Sequence, residues 1–538
     1  MIKTGKILQL ALIIAATFCI TCKKGSKTVN IDPPTTVIQG GTDTLKSGQS
    51  LSKGIVHQKG VKLASLDIIS GSSLSAEQKV LVSTLQGLVA KTSSEQIYID
   101  EGGPSSVWTA YLKSKYGITL NNYTSWTDLA THFKNKITGY VLYNRAKNPR
   151  SLTAANSLCG PMNAIAVDAS LEKAVKALGI TKVKADVQTR DEKWVYANYQ
   201  QVFSKQLAAE QNPDINHHLR DYITLTNAFA FYDGNSPFRT SVLQGLNTGA
   251  FCFGYGQDEF NMVKNAALQG IPMLPTDLAA NLAPLSSIYD TSGLHQKTFA
   301  SPTTEEHVHY VTFLVSDGDN LSVDTWQLNN YFNNPARGSF DMGYTISPSM
   351  VDLAPSVLSW YYANAANSSH KDFFVAGPSG SGYTFPSQMP ADKLDAYLSV
   401  LNTYMGAAGL NICNILDQNL AGNMDIWNKY LAQPNIDALI YTGYGESPNG
   451  SIRFSANGKP IIEERDNLWQ GLEEESTVIN NINSRPANPH SADGYTLVFV
   501  HIWTKDLSNI QTVVKGLNSN VRVVTPDAFV KLIKANLK

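Results

Sequence analysis

Cysteine and net charge are both scarce in this chain. It has five cysteines among 538 residues, and its basic and acidic residues nearly cancel, which leaves a formal net charge of -1. So few cysteines, without the paired spacing of a zinc site, exclude a disulfide framework and a cysteine-based metal centre. The absence of a basic stripe argues against nucleic acid as a partner.

Apolar runs long enough to cross a membrane are also missing. Near the start, Lys3 and Lys6 precede an apolar stretch at residues 7–16 that is too short to span a bilayer, and Cys22 follows it. This arrangement resembles a bacterial lipoprotein signal. We therefore expect residues 1–22 to be a signal peptide and Cys22 to carry a lipid that anchors an exported protein to the cell envelope, in the periplasm or at the cell surface. An ordinary secretory signal is the alternative.

The segment after Cys22 has the composition of a linker. Residues 23–63 are rich in serine, threonine, glycine and lysine and show no sustained periodicity. Such a segment buries too little apolar surface to fold, so we predict a flexible tether. The remainder is long enough for two domains, which we place at residues 64–298 and 299–538.

The C-terminal domain repeats one unit, in which a short apolar run is followed by a polar loop and a helix-length segment. Runs of this kind are typical of buried parallel strands, and eight such units match a (β/α)₈ TIM-barrel-like domain. The eight runs are Tyr310–Val315, Met342–Ile346, Phe373–Ala376, Ile412–Leu416, Ala438–Tyr441, Pro460–Ile462, Leu497–Val500 and Val521–Val524.

Acids and aromatic residues are concentrated in the loops that follow these runs. In a TIM barrel those loops build the active site. The residues concerned are Asp317, Asp319, Asn320, Tyr383, Asp417, Tyr444, Glu446, Glu464, His501 and Trp503.

The loop after the third run carries a recognisable motif. Residues 380–386 read Gly-Ser-Gly-Tyr-Thr-Phe-Pro, which resembles the signature of the GxGYxYP family of putative glycoside hydrolases, with Phe385 in place of the signature's second tyrosine. Segments at residues 277–282, 316–320, 344–348 and 353–355 are also similar to that family. The resemblance implies a barrel behind an N-terminal α/β domain and action on sugars. It brings no established catalytic residues.

The N-terminal domain alternates helix and strand signals. Ser75 and Gln78 form a capping box before a helix, and short strands are predicted near residues 97–99, 140–143, 164–167 and 251–254. This pattern predicts an α/β, Rossmann-like domain whose sheet has helices on both faces.

Two features of this domain could suggest a ligand. Gly254-Tyr255-Gly256 lacks the third glycine and the acidic residue of a dinucleotide site, so we interpret it as a tight turn and expect no cofactor. His217 and His218 have no partner at metal-ligand spacing, so we predict that they are exposed and that the chain holds no metal.

Glycosidic hydrolysis usually needs two carboxyl groups, about 5–5.5 Å apart for retention and roughly 6.5–9.5 Å apart for inversion. The candidates here are Asp317, Asp319, Asp417, Glu446 and Glu464. We expect the Asp317/Asp319 loop to supply one member and Asp417 or Glu446 the other. The alternatives are an irregular metal site or a turn cap for the first loop, a cap for Asp417, a solvated loop acid for Glu446, and a structural pairing of Glu464 with Arg465.

Substrate contacts are expected from residues on the same loops. Aromatic rings present an apolar face to sugar C–H groups, and Gly380 and Gly382 before Tyr383, with Pro386 after it, favour a fixed pose for that ring. His501 reads equally as an acid/base, a sugar hydrogen-bonder or a core histidine. Asp277 reads as a helix cap, or as a group that faces the site together with Asn281. The predicted contacts are Asn320, Tyr383, Tyr444, His501, Trp503 and Asp277.

Three functions are compatible with these features. The first is a lipid-anchored glycoside hydrolase acting on an exported or extracellular carbohydrate. The second is a surface lipoprotein that binds glycans without cleaving them. The third is a metal-dependent carbohydrate esterase or deacetylase that uses Asp317, Asp319 and His501, and it lacks the paired histidines usual for such enzymes.

Overall fold

The described part of the chain has an α/β fold that is built on small and large, mostly parallel sheets. The computed structural model describes residues 57–418 and 420–538, with three small sheets in the N-terminal half and one large curled sheet in the C-terminal half. The predicted signal peptide, Cys22 and the tether up to residue 56 lie outside the described residues. Residues 57–63 are part of the folded body, because His57 and Leu63 are both buried.

The first two small sheets have three parallel strands each, in the orders β2-β1-β3 and β5-β4-β6. Their elements are β1 (Ser65–Ser70), α1 (Ala76–Ala90), β2 (Glu95–Asp100), α2 (Pro104–Tyr116), β3 (Thr119–Tyr123), α3 (Trp126–His132), β4 (Tyr140–Tyr143), α4 (Arg150–Met162), β5 (Ile165–Asp168), α5 (Glu172–Ala177), β6 (Val183–Asp186) and α6 (Glu192–Tyr199).

The third small sheet has four parallel strands in the order β10-β9-β7-β8. Its elements are β7 (Leu207–Glu210), α7 (Arg220–Thr226), β8 (Phe229–Phe231), α8 (Pro237–Gln244), β9 (Phe251–Gly254), α9 (Glu259–Leu268), β10 (Met273–Leu274) and α10 (Leu282–Ser286).

The strands of this half form three sheets and not the single sheet that the sequence suggested, and one helix contacts more than one of them. Helix α1 begins with the predicted Ser75 capping box, which is confirmed, and is buried on all sides from Val80 to Ala90. Its polar side chains reach neighbouring units: Thr84 accepts from the backbone N–H of Ala166, and Gln86 donates to the backbone of Ile97. The helix therefore occupies the centre of this half. The four predicted strand positions are confirmed.

The C-terminal sheet is mostly parallel, in the order β16-β17-β15-β14-β13-β12-β11-β19-β18, with β20 pairing to β11. Its elements are β11 (His309–Val315), a π-helical turn (Val323–Gln327), α11 (Leu328–Phe332), β12 (Met342–Ile346), α12 (Met350–Leu353), α13 (Pro355–Asn364), β13 (Asp372–Ala376), α14 (Ala391–Ala408), β14 (Ile412–Asp417), α15 (Met424–Leu431), β15 (Ala438–Gly443), β16 (Ile452–Phe454), β17 (Pro460–Glu463), β18 (Asp466–Leu468), α16 (Glu475–Ser484), β19 (Tyr495–Val500), α17 (Leu507–Gly516), β20 (Val521–Val523) and α18 (Pro526–Asn536).

This sheet is a strongly curled half-barrel, and the strand order of the predicted eight-stranded barrel is wrong at two points. The sixth run, β17, pairs with β15 and β16, whereas β18 pairs with the seventh run. All eight apolar runs are strands, but the seventh, β19, pairs directly with β11. The eighth, β20, pairs only with residues 309–311 of β11, because β12 occupies the same side of β11 at residues 314 and 315.

The two ends of the curled sheet are joined by one short stretch of chain. Only Glu464 and Arg465 separate β17 from β18. The backbone N–H of Glu464 donates to Tyr441 in β15, and that of Arg465 donates to Leu497 in β19. One segment therefore hydrogen-bonds to strands from both ends.

The third small sheet packs on the strand ends of the curled sheet. Met273 and Tyr383 exchange two backbone hydrogen bonds of 2.9 and 2.7 Å, and the N–H of Leu321 donates to the carbonyl of Pro275.

Among the described helices, none combines the length and apolar character needed to cross a membrane.

Asn281 offers a direct test of how the start of α10 packs against β2 of the first small sheet. Its buried amide bonds both the N–H and the carbonyl of Ile99 at 2.9 Å. Asn281→Ala leaves both backbone groups unpaired, so we expect the free energy of unfolding to fall by about 2–4 kcal/mol. Urea denaturation measures this. Exposed Asn198→Ala serves as the control and should stay within about 0.5 kcal/mol of wild type. An equal response of both variants would contradict the assigned role.

Candidate carboxylate site

Asp317 and Asp319 lie on a tight loop directly after β11. A Cβ on Gly318 would come within 2.0 Å of the backbone of Thr345, so only glycine fits between the two acids. Asp317 has a φ of +63°, a left-handed conformation that aspartate tolerates better than most residues. The Asp317 carboxylate accepts from the Ser316 hydroxyl and, at 3.4 Å, from Nε1 of Trp503.

A third acid in this group comes from the N-terminal half. Glu259, in the first turn of α9, accepts hydrogen bonds from the hydroxyls of Tyr383 at 2.9 Å and Tyr255 at 2.7 Å. Burial raises the pKa of Asp319 well above its usual value, and the charges of Asp317 and Glu259 raise it further. The three acids therefore form one electrostatically coupled group.

Tyr383 is held as the glycine-rich loop predicted, but its hydroxyl faces a protein group. The side chain is 4% exposed, and both the backbone N–H and the carbonyl of Tyr383 bond the backbone of Met273. Because the hydroxyl donates to Glu259, Tyr383 orients that carboxylate.

Asp417, Glu446 and Glu464 form a second group, at the ends of β14, β15 and β17. The Asp417 carboxylate accepts from the backbone N–H and the hydroxyl of Ser387, at 2.7 and 2.8 Å. Burial raises the pKa of Asp417 to about 6, and the charge of Glu446 adds to this. Burial raises the pKa of Glu464 to about 8, and Glu446 again contributes.

Hydrogen bonds hold the two glutamates of this second group in place. The hydroxyl of Tyr441 donates to Glu446 at 2.9 Å, and the N–H of Gly443 donates to Glu464 at 3.2 Å. Arg465 does not pair with Glu464 as one interpretation had it. It binds Asp493 and the carbonyl of Gly450.

Tyr444 lies beside both groups. Its ring packs against Phe260 at 5.5 Å and Phe385 at 5.6 Å, and its N–H donates to the carbonyl of Asp417. Burial raises the pKa of Tyr444 to about 12, with a further contribution from the charge of Glu259. The loops after β13 and β15 thus bring both carboxylate groups to one side of the curled sheet.

Other residues predicted to contact substrate have local roles. Asn320 accepts from the N–H groups of Ser322 and Val323, so it caps the following turn. His501 bonds Thr504 and stacks on Trp469 at 3.7 Å, and burial lowers its pKa to about 4.

Three expectations for the N-terminal half need correction. Asp277 lies in a turn, and the next helix begins only at Leu282, so Asp277 neither caps a helix nor shares a helical face with Asn281. Asn281 bonds the backbone of Ile99. His217 is buried with Nε2 3.0 Å from Glu101, and burial lowers the pKa of His218 to about 3, so the prediction of two exposed histidines is wrong.

Potential metal ligands converge elsewhere. Within the described residues, the group of acids and histidines whose ligand atoms lie within 4.8 Å of one another is Asp67, Glu95 and His132, on the first small sheet and the helix that covers it. Asp317, Asp319 and His501 do not form such a group in this part of the chain. The esterase hypothesis therefore lacks the ligand geometry it requires.

Sequence profiles of four consecutive domains match the chain. The first, second and third domains of the GxGYxYP N-terminal region match residues 65–135, 137–203 and 205–287, and the GxGYxYP putative glycoside hydrolase C-terminal domain matches residues 307–534.

A solved structure is also similar. The crystal structure of a putative hydrolase from Bacteroides thetaiotaomicron VPI-5482 is 54% identical, with a TM-score of 0.87, over 90% of this chain and 97% of that chain. Among curated proteins, none matches the sequence.

The buried carboxyl of Glu464 generates a pH prediction. Its folded-state pKa, about 8, lies above the ordinary 4.5, so the stability that its protonated form contributes is present below about pH 4.5 and is lost as the pH rises through 8. Glu464→Gln stays neutral. We therefore expect the variant's advantage over wild type in unfolding free energy to grow by on the order of 3 kcal/mol between pH 5 and pH 9.

Urea denaturation across this pH range provides the measurement. Asp392→Asn is the control, because Asp392 is exposed in the first turn of α14 and its substitution should give a difference that does not change with pH. If the difference in unfolding free energy between Glu464→Gln and wild type also stays constant with pH, the Glu464 carboxyl of the wild type is ionised in the folded protein at neutral pH.

Proposed function

The chain belongs to the GxGYxYP putative glycoside hydrolase family, and from that premise we propose that it hydrolyses glycosidic bonds with the carboxylate group at residues 259, 317 and 319. The observation that supports this proposal is that Asp319 is buried and that the charges of Asp317 and Glu259 act on it. Two neighbouring acids in different environments are the arrangement that glycosidic hydrolysis uses.

Asp319 is the proton donor in this proposal. Burial and two neighbouring negative charges raise its pKa, so it keeps its proton under conditions in which an ordinary aspartate has lost it. It would give that proton to the leaving glycosidic oxygen, which turns the departing sugar into a neutral alcohol.

Glu259 is the second carboxyl group. Two tyrosine hydroxyls donate to it and fix its direction. As a carboxylate it would attack the anomeric carbon or remove a proton from the attacking water. Asp317, bonded by Ser316 and Trp503, adds to the effect of burial, which is the main cause of the raised pKa of Asp319.

The sequence suggested Asp417 or Glu446 as the partner of the Asp317/Asp319 loop, and these two acids remain the competing candidates. Asp417 is engaged by Ser387, which anchors the segment after the glycine-rich loop. In our proposal this second group positions that loop, and with it Tyr383 and Glu259.

Glycan binding without cleavage is the second candidate function. It is favoured by the aromatic surface near Asp317, where Trp503 is 50% exposed. Exposed rings of this kind hold sugars by their apolar faces.

Substitution of single acids tests the proposed chemistry. We expect Asp319→Asn and Glu259→Gln each to lower kcat/KM by roughly 10²–10⁴-fold, because each removes a group that transfers a proton or attacks in the transition state. The measurement is the initial rate on a glycan that the wild type cleaves, chosen from a polysaccharide panel. Glu306→Gln, an exposed acid, is the matched control.

The remaining outcomes separate the alternatives. Loss of activity in Asp417→Asn and Glu446→Gln, with Asp319→Asn and Glu259→Gln active, would move the catalytic pair to the second group. Glycan binding by the wild type without turnover of any panel member would favour the binding function.

We further propose that the protein is exported and anchored by a lipid on Cys22. The basic start, the short apolar stretch and the cysteine after it support this location. Cells given a labelled fatty acid should incorporate it into the wild type, and Cys22→Ala should abolish the label and release the protein from the membrane fraction. Labelling that persists in Cys22→Ala would refute the anchor.

A further inference from the structure

A cleft lies next to Asp317, between the loop that follows β19 and the helical segment that follows β11. Its volume is about 320 Å³, at the lower end of the usual range for small-molecule sites. Side-chain amides and two aromatic rings make up most of its wall: Gln327, Asn330, Asn334, Asn509, Tyr331 and Trp503.

Trp503 connects this cleft to the carboxylate site. Its indole is 50% exposed, although it sits between the buried residues Ile502 and Leu507 of the same loop and helix. Its Nε1 donates to Asp317 at 3.4 Å. A ligand that covers the indole face is therefore placed directly beside Asp317.

The charge around the cleft selects among sugars. Asp506 lines the cleft and Asp317 accepts from Trp503, and within the described residues neither acid forms an ion pair with lysine or arginine. The one lysine in the cleft wall, Lys505, is held by Glu474 and Glu475. An acidic sugar would meet uncompensated negative charge here, and repulsion between like charges would weaken its binding.

Amide and aromatic groups suit an uncharged sugar. Amides donate to and accept from hydroxyls, and the indole face packs on the C–H face of a pyranose. The cleft offers both to the same ligand.

We propose that this cleft is a subsite for a sugar unit without an acidic group, which stacks on Trp503 and bonds the amides, so that the substrate is a neutral glycan. This inference rests on the proposed glycosidase function, which it deepens by naming the class of substrate and the residues that hold it.

Matched tryptophan variants test the subsite. We expect Trp503→Ala to raise KM for a neutral oligosaccharide about tenfold, because it removes the stacking surface, whereas Trp503→Phe keeps a ring and most of the affinity. Trp326→Ala is the control: Trp326 is 43% exposed, lies next to Gln327 in the chain, and packs near Gly103 outside the cleft. Its KM should equal that of the wild type.

A substrate series tests the charge. Neutral gluco-, xylo- and manno-oligosaccharides are compared with oligogalacturonates of the same length. Preference for the neutral series supports the proposal. Preference for the uronate series, or an unchanged KM in Trp503→Ala, overturns it.

A binding measurement keeps this proposal separate from the proposed catalysis. Calorimetric titration of the same oligosaccharides requires no turnover. Binding that Trp503→Ala loses and Trp326→Ala keeps supports the subsite even if the wild type cleaves nothing, in which case only the catalytic proposal fails. Binding that survives in Trp503→Ala, or no binding of any neutral oligosaccharide, refutes the subsite.

Discussion

The backbone pairing of Met273 with Tyr383 is the contact on which the candidate site depends. It joins the edge of the third small sheet to the glycine-rich loop of the curled sheet through two hydrogen bonds. Both residues are buried, so neither backbone group could exchange this partner for water. Because α9 belongs to the third sheet, the same pairing carries Glu259 to the hydroxyl of Tyr383. The site is therefore assembled by the packing of the two halves.

The candidate site buries several acidic side chains, and this burial lowers the stability of the folded protein. Asp319 and Asp324 are both buried, and burial raises the pKa of each well above its usual value. Within the described part of the chain, no lysine or arginine forms an ion pair with either one. Proteins place uncompensated buried acids where function needs them, since a packing role alone is better filled by apolar residues. The unusual feature of this site is thus the absence of basic partners, more than the number of acids.

Local patterns in the sequence predicted much of this molecule, and the remainder depended on contacts between distant segments. The eight strands and the Ser75 cap were accessible because apolar periodicity and capping involve neighbouring residues. The position of β20 could not be predicted in this way, because the part of β11 that is open to β20 depends on how far β12 extends along β11. Glu259 was missed for a related reason: after Asp258, which caps α9, it reads as an ordinary acid in a first helical turn. Only tyrosines from other segments give it a role. His217 was misjudged because its polar neighbours concealed its burial.

The short link between β17 and β18 limits how this chain can vary in length. Successive residues of an extended strand face opposite sides, and here Glu464 faces the second carboxylate group while Arg465 faces Asp493. One extra residue just before Glu464 would reverse that alternation and turn its carboxyl away from the sheet interior. Loops elsewhere can lengthen without such an effect. Insertions tolerated by this architecture should therefore accumulate in the connections around the half-barrel and avoid these few residues.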